Sequence, residues 1–394
     1  MADRPPPAWI ADAAALEQLI DTLLEAGVYA VDTEFHRERT YWPHLALLQF
    51  GWRVGTATEV ALVDPLAVDV SPLERLFDSD VLTVVHAATQ DLEVFDRAVG
   101  SVPRRVFDTQ IAAGFAGFSS PSLATLAEKL AGVRLPMGDR LSDWTQRPLT
   151  AGQISYAADD VAYLFDIRDE LVERLNRSGR LGWAEDECSA MLAQPRGPQD
   201  PDTAWWRIKE TRSLRGKARG IAQEVAAWRE RRAASVDRPV RQVMPDMGVV
   251  AVANRPPSSA ADLRSLRGLE GRMPGGAVAE ELLQAVRRGA ALDPKQLRLP
   301  PVDDFERDLR PAVTLVSAWV SQLARDLGIE TALLATRSDL QAFLSGDPQA
   351  RLATGWREET VGEPVRRLVA GEAALAFRPG SADLALVEVA EPKG

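Results

Sequence analysis

The segment VYAVDTEF carries two acids, Asp32 and Glu34, at alternate positions inside an otherwise apolar run. Successive side chains of a strand point to opposite faces, so this spacing puts both carboxylates on the same face. An acid held among Val31, Phe35 and their apolar neighbours is costly to bury without a counter-charge or a ligand. Two more acids occupy comparable places, Asp91 in HAATQDLEVF and Asp160 in SYAADDVAYL. Tyr156 precedes Asp160 by one helical turn and shares its face, whereas Asp159 is directed away. Carboxylates gathered in this way repel one another unless a cation neutralises them. Oxygen-only ligands suit Mg²⁺ or Mn²⁺, and paired ions of that kind run in-line phosphodiester hydrolysis.

Local pattern places these residues on elements. LEQLIDTLLEAG reads as a helix ending at Gly27, followed by VYAVDTEF, HLALLQFGW and EVALVDP as three strands. SPLERLFDS reads as a short helix capped at Ser71. VLTVVHA is a fourth strand that feeds TQDLEVFDRAVG, a helix with Asp91 in its first turn, where the helix dipole favours negative charge. FDTQIAAGFAG, SLATLAEKLAG and QISYAADDVAYLFDIRDELVERLNRSG carry helical patterns, and residues 1–8 read as a Pro-rich tail. Strands come first and helices after, with one strand–helix crossover.

The stretches VDTEFHRERTYWPHLALLQF, VVHAATQDLEVF, VFDTQIAAGFAG, SDWTQRPLT and ISYAADDVAYL resemble ribonuclease D, in the Tyr-type branch of the DEDD superfamily of 3′→5′ exonucleases. The resemblance covers roughly residues 20–175, with several motifs in family order. It implies an α/β ribonuclease H-like domain, a mixed sheet flanked by helices. It also implies that Asp32, Glu34, Asp91 and Asp160 bind two divalent metal ions, Mg²⁺ or Mn²⁺, and that Tyr156 orients or deprotonates the attacking water. The three histidines, His36, His44 and His86, all precede Asp91, so none can take the place of Tyr156 in the third motif. A phenol ionises near pH 10, which favours positioning of water over proton removal. The family's lysine near the position of Met137 is missing, which puts phosphate contacts in that loop in doubt.

The Pro-rich stretch AQPRGPQDPD separates this part from a second. There, EVAAWRERRAASVDRPVRQVMPD and VANRPPSSAADLRSLRGL resemble the HRDC module, a small helical bundle. After the linker LRLPPVDD, the tail resembles the degenerate second helical module that ends ribonuclease D. The expected domains are residues 1–193, 204–294 and 303–394. Net charge is −11 overall but divides as −14 for 1–200, +8 for 201–300 and −5 for 301–394. A basic middle module attracts phosphate backbones by counterion release. A fragment ending near Gln194 is therefore expected to keep the chemistry and lose affinity for folded RNA.

Substrate contacts are expected at Arg37, Arg39, Trp42, Trp144 and Arg147, by charge and base stacking. In the middle module Arg212, Arg215, Lys217 and Arg219 belong to a positive run. The single cysteine, Cys188, excludes an intramolecular disulfide framework. The N-terminus lacks signal-peptide architecture and no run approaches a membrane span, so a cytoplasmic protein is expected; a monomer is expected as well. By resemblance the substrate is RNA with a free 3′ end, tRNA precursors in particular, and the products are nucleoside 5′-monophosphates. A non-catalytic RNA-binding scaffold and a DNA 3′→5′ exonuclease are the alternatives. Intact acids in all three motifs speak against the first, and the motifs do not separate RNA from DNA.

Overall fold

The computed structural model describes residues 5–136, 142–198, 200–266, 268–269, 275–300 and 309–389. Its N-terminal part is built on six strands: β1 (Ala8–Ile10), β2 (Val28–His36), β3 (His44–Val54), β4 (Ala57–Val63), β5 (Leu82–Val85) and β6 (Val106–Asp108). Their order is β1-β4-β3-β2-β5-β6. β2, β3 and β4 are antiparallel neighbours, whereas β5 joins β2, β6 joins β5 and β1 joins β4 in parallel. Parallel neighbours need crossovers, so β5 and β6 are linked through the helix Thr89–Ala98.

The two-residue period of β2 divides the core. Tyr29 and Val31 face the helix Ala13–Ala26, together with Phe77 and Phe95. Ala30 faces the other way, toward Leu47, Leu62, Ala157 and Val161. Asp32 continues the face of Ala30, and Thr33 that of Val31. The helix Ala151–Ala162 lies close on the sheet because its buried face carries Ala157 and Ala158. Gly51 beneath it has no side chain, and a Cβ there would stand 3.4 Å from the carbonyl of Val161.

Several expectations need correction. The start of the chain is not all tail: β1 pairs in register with Ala61–Val63. The stretch FDTQ begins as a strand, β6, so the sheet has a second parallel crossover beyond the one expected. The long pattern QISYAADDVAYLFDIRDELVERLNRSG is two helices, Ala151–Ala162 and Leu164–Ser178, that meet at Tyr163 (φ −109°, ψ 1°). Neither Gly nor Pro marks that break. Ser71 opens a 3₁₀ turn, Ser71–Leu73, rather than capping an α-helix.

The basic module packs the helices Lys217–Val236, Asp246–Asn254 and Ala277–Ala291 around Trp205, Val225, Val252 and Leu282. Gly220 and Gly289 let two of these helices touch, since a Cβ on Gly220 would stand 2.4 Å from the Gly289 carbonyl. Beyond it come the helices Arg310–Leu327, Arg337–Leu344 and Glu363–Ala370 and the hairpin of β7 (Ala373–Phe377) and β8 (Leu384–Glu388). The hairpin was not expected. This last segment does not keep its core to itself: Val316, Trp319, Val320 and Trp356 share one apolar cluster with Phe107, Phe115, Leu171 and Leu175. No helix among the described residues is long and apolar enough to cross a membrane.

Candidate active site

β2 brings Asp32 opposite Gln49 and Glu34 opposite Leu47, with a shift of register between Glu34 and Phe35. Such an irregularity bends a strand and re-aims its side chains. The ladder between β2 and β5 runs only from Val28–Leu82 to Ala30–Val84. β5 ends at Val85, and the helix that follows carries Asp91 in its first turn. Asp91 thus arrives beside the part of β2 that β5 does not cover.

Asp91, Asp160 and Glu34 all lie close enough for their charges to act on Asp32. The Asp32 carboxyl is held well above the usual carboxylate range, first by burial, then by the charges of Asp91, Asp160 and Glu34 in that order. Burial also raises Asp91, to about 6, against the opposing hydroxyl of Thr33. Thr33 Oγ1 donates to Asp91 Oδ1 across the 58 residues that separate them. Among the described residues no three acidic, imidazole or thiol groups already surround one point as metal ligands would. The donor set is nevertheless one that favours cations: four carboxylates, partly buried, three of which set their charge against that of Asp32. A divalent ion would relieve that repulsion.

Tyr156 and Asp160 lie one turn apart on the helix Ala151–Ala162, whose start is fixed by a capping box between Thr150 and Gln153. The ring of Tyr156 lies 6.0 Å from that of Trp144, tilted by 37°. Trp144 is only 4% exposed and has no face left for a base. Its expected role in stacking on substrate gives way to support of Tyr156. Arg147 is likewise committed: its guanidinium pairs with the buried Asp64 at 2.7 Å and donates to the Ala46 carbonyl. Arg37 forms a two-pronged pair with Glu93 at 2.6 and 3.0 Å. Trp42 donates its indole N–H to the Ala234 carbonyl of the basic module. Only Arg39 of this group is exposed and outside any hydrogen bond or ion pair among the described residues. Met137 lies outside the described residues.

Sequence reasoning passed over two residues that shape the site. Thr33 was hidden by its parity, since it points away from Asp32 and Glu34 and reaches Asp91 from the opposite face. Asp108 was read as the start of a helix. It is buried, accepts the amides of Ala87 and Ala88 at 3.0 and 2.9 Å, and caps Gln110 and Ile111. Ala87 has φ 59°, so this carboxylate holds a strained turn directly before the helix of Asp91. An Asp followed by a helical pattern is an N-cap signal in the sequence, but its second set of partners is not.

In the basic module Arg212, Arg215 and Lys217 are exposed and Arg219 is half-buried. None of the four is in an ion pair among the described residues. Arg215 donates to the carbonyls of Arg212 and Leu214, and Arg219 to that of Leu214.

Known proteins resemble this chain along most of its length. A family model described as a 3′-5′ exonuclease matches residues 7–176, and the HRDC domain model matches residues 218–286. The chain is 37% identical over 386 residues to ribonuclease D of Acidiphilium cryptum, covering 95% of this chain and 96% of that one. It is 38% identical over 353 residues to ribonuclease D of Jannaschia sp., covering 88% and 91%. Among solved structures, Escherichia coli RNase D, described as an exoribonuclease involved in structured RNA processing, superposes with a TM-score of 0.80 at 32% identity. That match covers 93% of this chain and 99% of the other.

Proposed function

Because the chain belongs to the ribonuclease D family of 3′→5′ exoribonucleases, we propose that Asp32, Glu34, Asp91 and Asp160 are its hydrolytic centre. The observation that carries this is the Thr33–Asp91 hydrogen bond, which ties the Asp91 helix to β2 beside Asp32, a carboxyl raised first by burial and then by the charges of Asp91, Asp160 and Glu34. The centre would hold two divalent cations, Mg²⁺ or Mn²⁺. When bound, such ions lower the pKa of water and stabilise the leaving oxygen of an in-line displacement.

The chain's own residues do the rest. Asp32 and Glu34, on a pleated strand, supply a rigid shelf of oxygens. Thr33 fixes the rotamer of Asp91 through the hydroxyl it donates. Tyr156, backed by Trp144, directs its hydroxyl to orient the attacking water opposite the leaving 3′ oxygen. With ions bound, the pKa of the water itself falls, so the role left to Tyr156 is positioning. The products are nucleoside 5′-monophosphates. The substrate is RNA with an accessible 3′ end, and tRNA precursors fit a protein that couples an acidic exonuclease part to a basic module. The exposed cations of Arg212, Arg215 and Lys217, with Arg219, offset repulsion between RNA and the acidic part. One chain suffices for this reading, since the acids, Tyr156 and the basic run all belong to it.

The test is digestion of 5′-labelled RNA and DNA oligonucleotides with Mg²⁺ or Mn²⁺, with and without EDTA. Stepwise shortening of RNA that stops with EDTA and with Asp32→Asn is the expected result. Shortening that survives either treatment would place the chemistry elsewhere.

A further inference from the structure

The loop that leaves β2 after His36, two residues beyond Glu34, is gripped from both sides. On one side Arg37 is bound to Glu93, two residues beyond Asp91 on the same helix. Arg97 of that helix lies 4.4 Å from the ring of Trp42. On the other side stands the C-terminal end of the helix Lys217–Val236. Asp237, its C-cap, accepts the amides of Tyr41 and Trp42, both at 3.0 Å, through one carboxylate oxygen. Its other oxygen meets His44 Nε2 at 2.6 Å. Tyr41 donates its hydroxyl to Glu230 at 3.2 Å, and Trp42 donates its indole N–H to Ala234 at 3.1 Å.

We propose that Asp237 is a positioning residue for hydrolysis. By clamping residues 41–44 it lets the basic module set the geometry of β2 and of the Asp91 helix, which share that loop. The proposal rests on the reading of the four acids as the hydrolytic centre. Three features make the clamp specific. Its acceptor is one carboxylate with three donors, so it fixes orientation as well as distance. Asp237 has φ 48°, a conformation that few residues other than Gly, Asn and Asp adopt readily. The loop's partners on its two sides belong to the two parts of the chain separated by the Pro-rich linker, so the contact carries position from one to the other. The basic module therefore acts on turnover as well as on affinity.

The experiment uses full-length protein and a trinucleotide RNA, too short to draw affinity from the basic run. Asp237→Gly keeps the backbone conformation and removes the clamp. It should lower kcat by about 10-fold, within what a small displacement remote from the chemistry produces, with KM changed less. Amide exchange at Tyr41 and Trp42 should rise. Asp237→Asn retains an acceptor for the two amides and should recover most of the rate. His44→Ala removes one bond from the opposite side and should show a smaller loss in the same direction, which serves if Asp237→Gly folds poorly. Faster exchange with unchanged kcat in the Gly variant overturns the proposal, as does an Asn variant no better than Gly. A wild-type protein that leaves the trinucleotide intact with either metal fails at the earlier step, the assignment of the hydrolytic centre itself.

Discussion

The indole of Trp183 lies stacked on that of Trp356, ring centroids 4.4 Å apart and planes 12° from parallel. Phe115 meets both rings edge-on. Beside them Arg357, almost wholly buried, donates to the Leu333 carbonyl and pairs with Glu187. Trp183 and Glu187 belong to the exonuclease part, whereas Trp356 and Arg357 come from the end of the chain. The C-terminal helices therefore complete the core of the catalytic part, and a Pro-rich linker between them does not mean independence.

A fragment ending near Gln194, expected from sequence to stay active, should instead be unstable, because it exposes Phe115, Trp183 and the apolar face around Leu171 and Leu175. Trp356→Ala in the full chain should cost about 3–5 kcal/mol, the usual range for deleting a buried aromatic. Denaturant titration checks both. A fragment that melts as cooperatively and as late as the full chain would show that the shared core contributes little.

Asp32→Asn should lower turnover at least about 10³-fold, because the ions it would hold supply several kcal/mol of charge stabilisation. Without metal the same substitution should leave Tm equal or higher, since it removes a carboxyl disfavoured first by burial and then by the charges of Asp91, Asp160 and Glu34. Calorimetry in EDTA beside a turnover assay separates the two effects. A clear fall in Tm would mean the charge is compensated in the fold.

Metal-free protein should lose stability as pH rises from about 4 to about 6. Asp91 ordinarily ionises at 3.8 and does so at about 6 when folded. Between those values the folded state binds more protons than the unfolded one. Its stability therefore falls by up to about 1.4 kcal/mol per pH unit for this group. Asp91→Asn should flatten the slope, and a pH series of urea midpoints in EDTA measures it.

Tyr156→Phe should slow hydrolysis while leaving Tm within about 1 kcal/mol of wild type, as only an oxygen is lost. The loss should stay under the about 10²-fold that marks a full proton-transfer role. Trp144→Leu should slow it too, by releasing the ring of Tyr156. Wild-type rates in both variants would make Tyr156 a packing residue.

Arg212, Arg215 and Lys217, replaced together by Ala, should weaken RNA binding and reduce the slope of log affinity against log salt by about 2–3, one counterion per lost phosphate contact. Filter binding across a salt series reads this directly. An unchanged slope would send the RNA across another surface.

The elements of the site were legible because they depend on neighbours along the chain. A period of two aligned Asp32 with Glu34, a spacing of four aligned Tyr156 with Asp160, and an apolar strand running into a helix put Asp91 in a first turn. Those relationships follow from backbone geometry and needed no knowledge of what packs where. Residues whose partners are distant in sequence were decided by tertiary structure. Arg147 looked free for phosphate until the fold placed Asp64 beside it. Trp144 and Trp42 looked ready to stack on bases until one was buried under Tyr156 and the other was docked on Ala234. The tail of the chain read as a separate module, yet Trp356 found Trp183. An Arg or Trp has the same local pattern whether it meets substrate, solvent or another part of its own chain. Burial and pairing across the fold set its role, and only the assembled chain determines them.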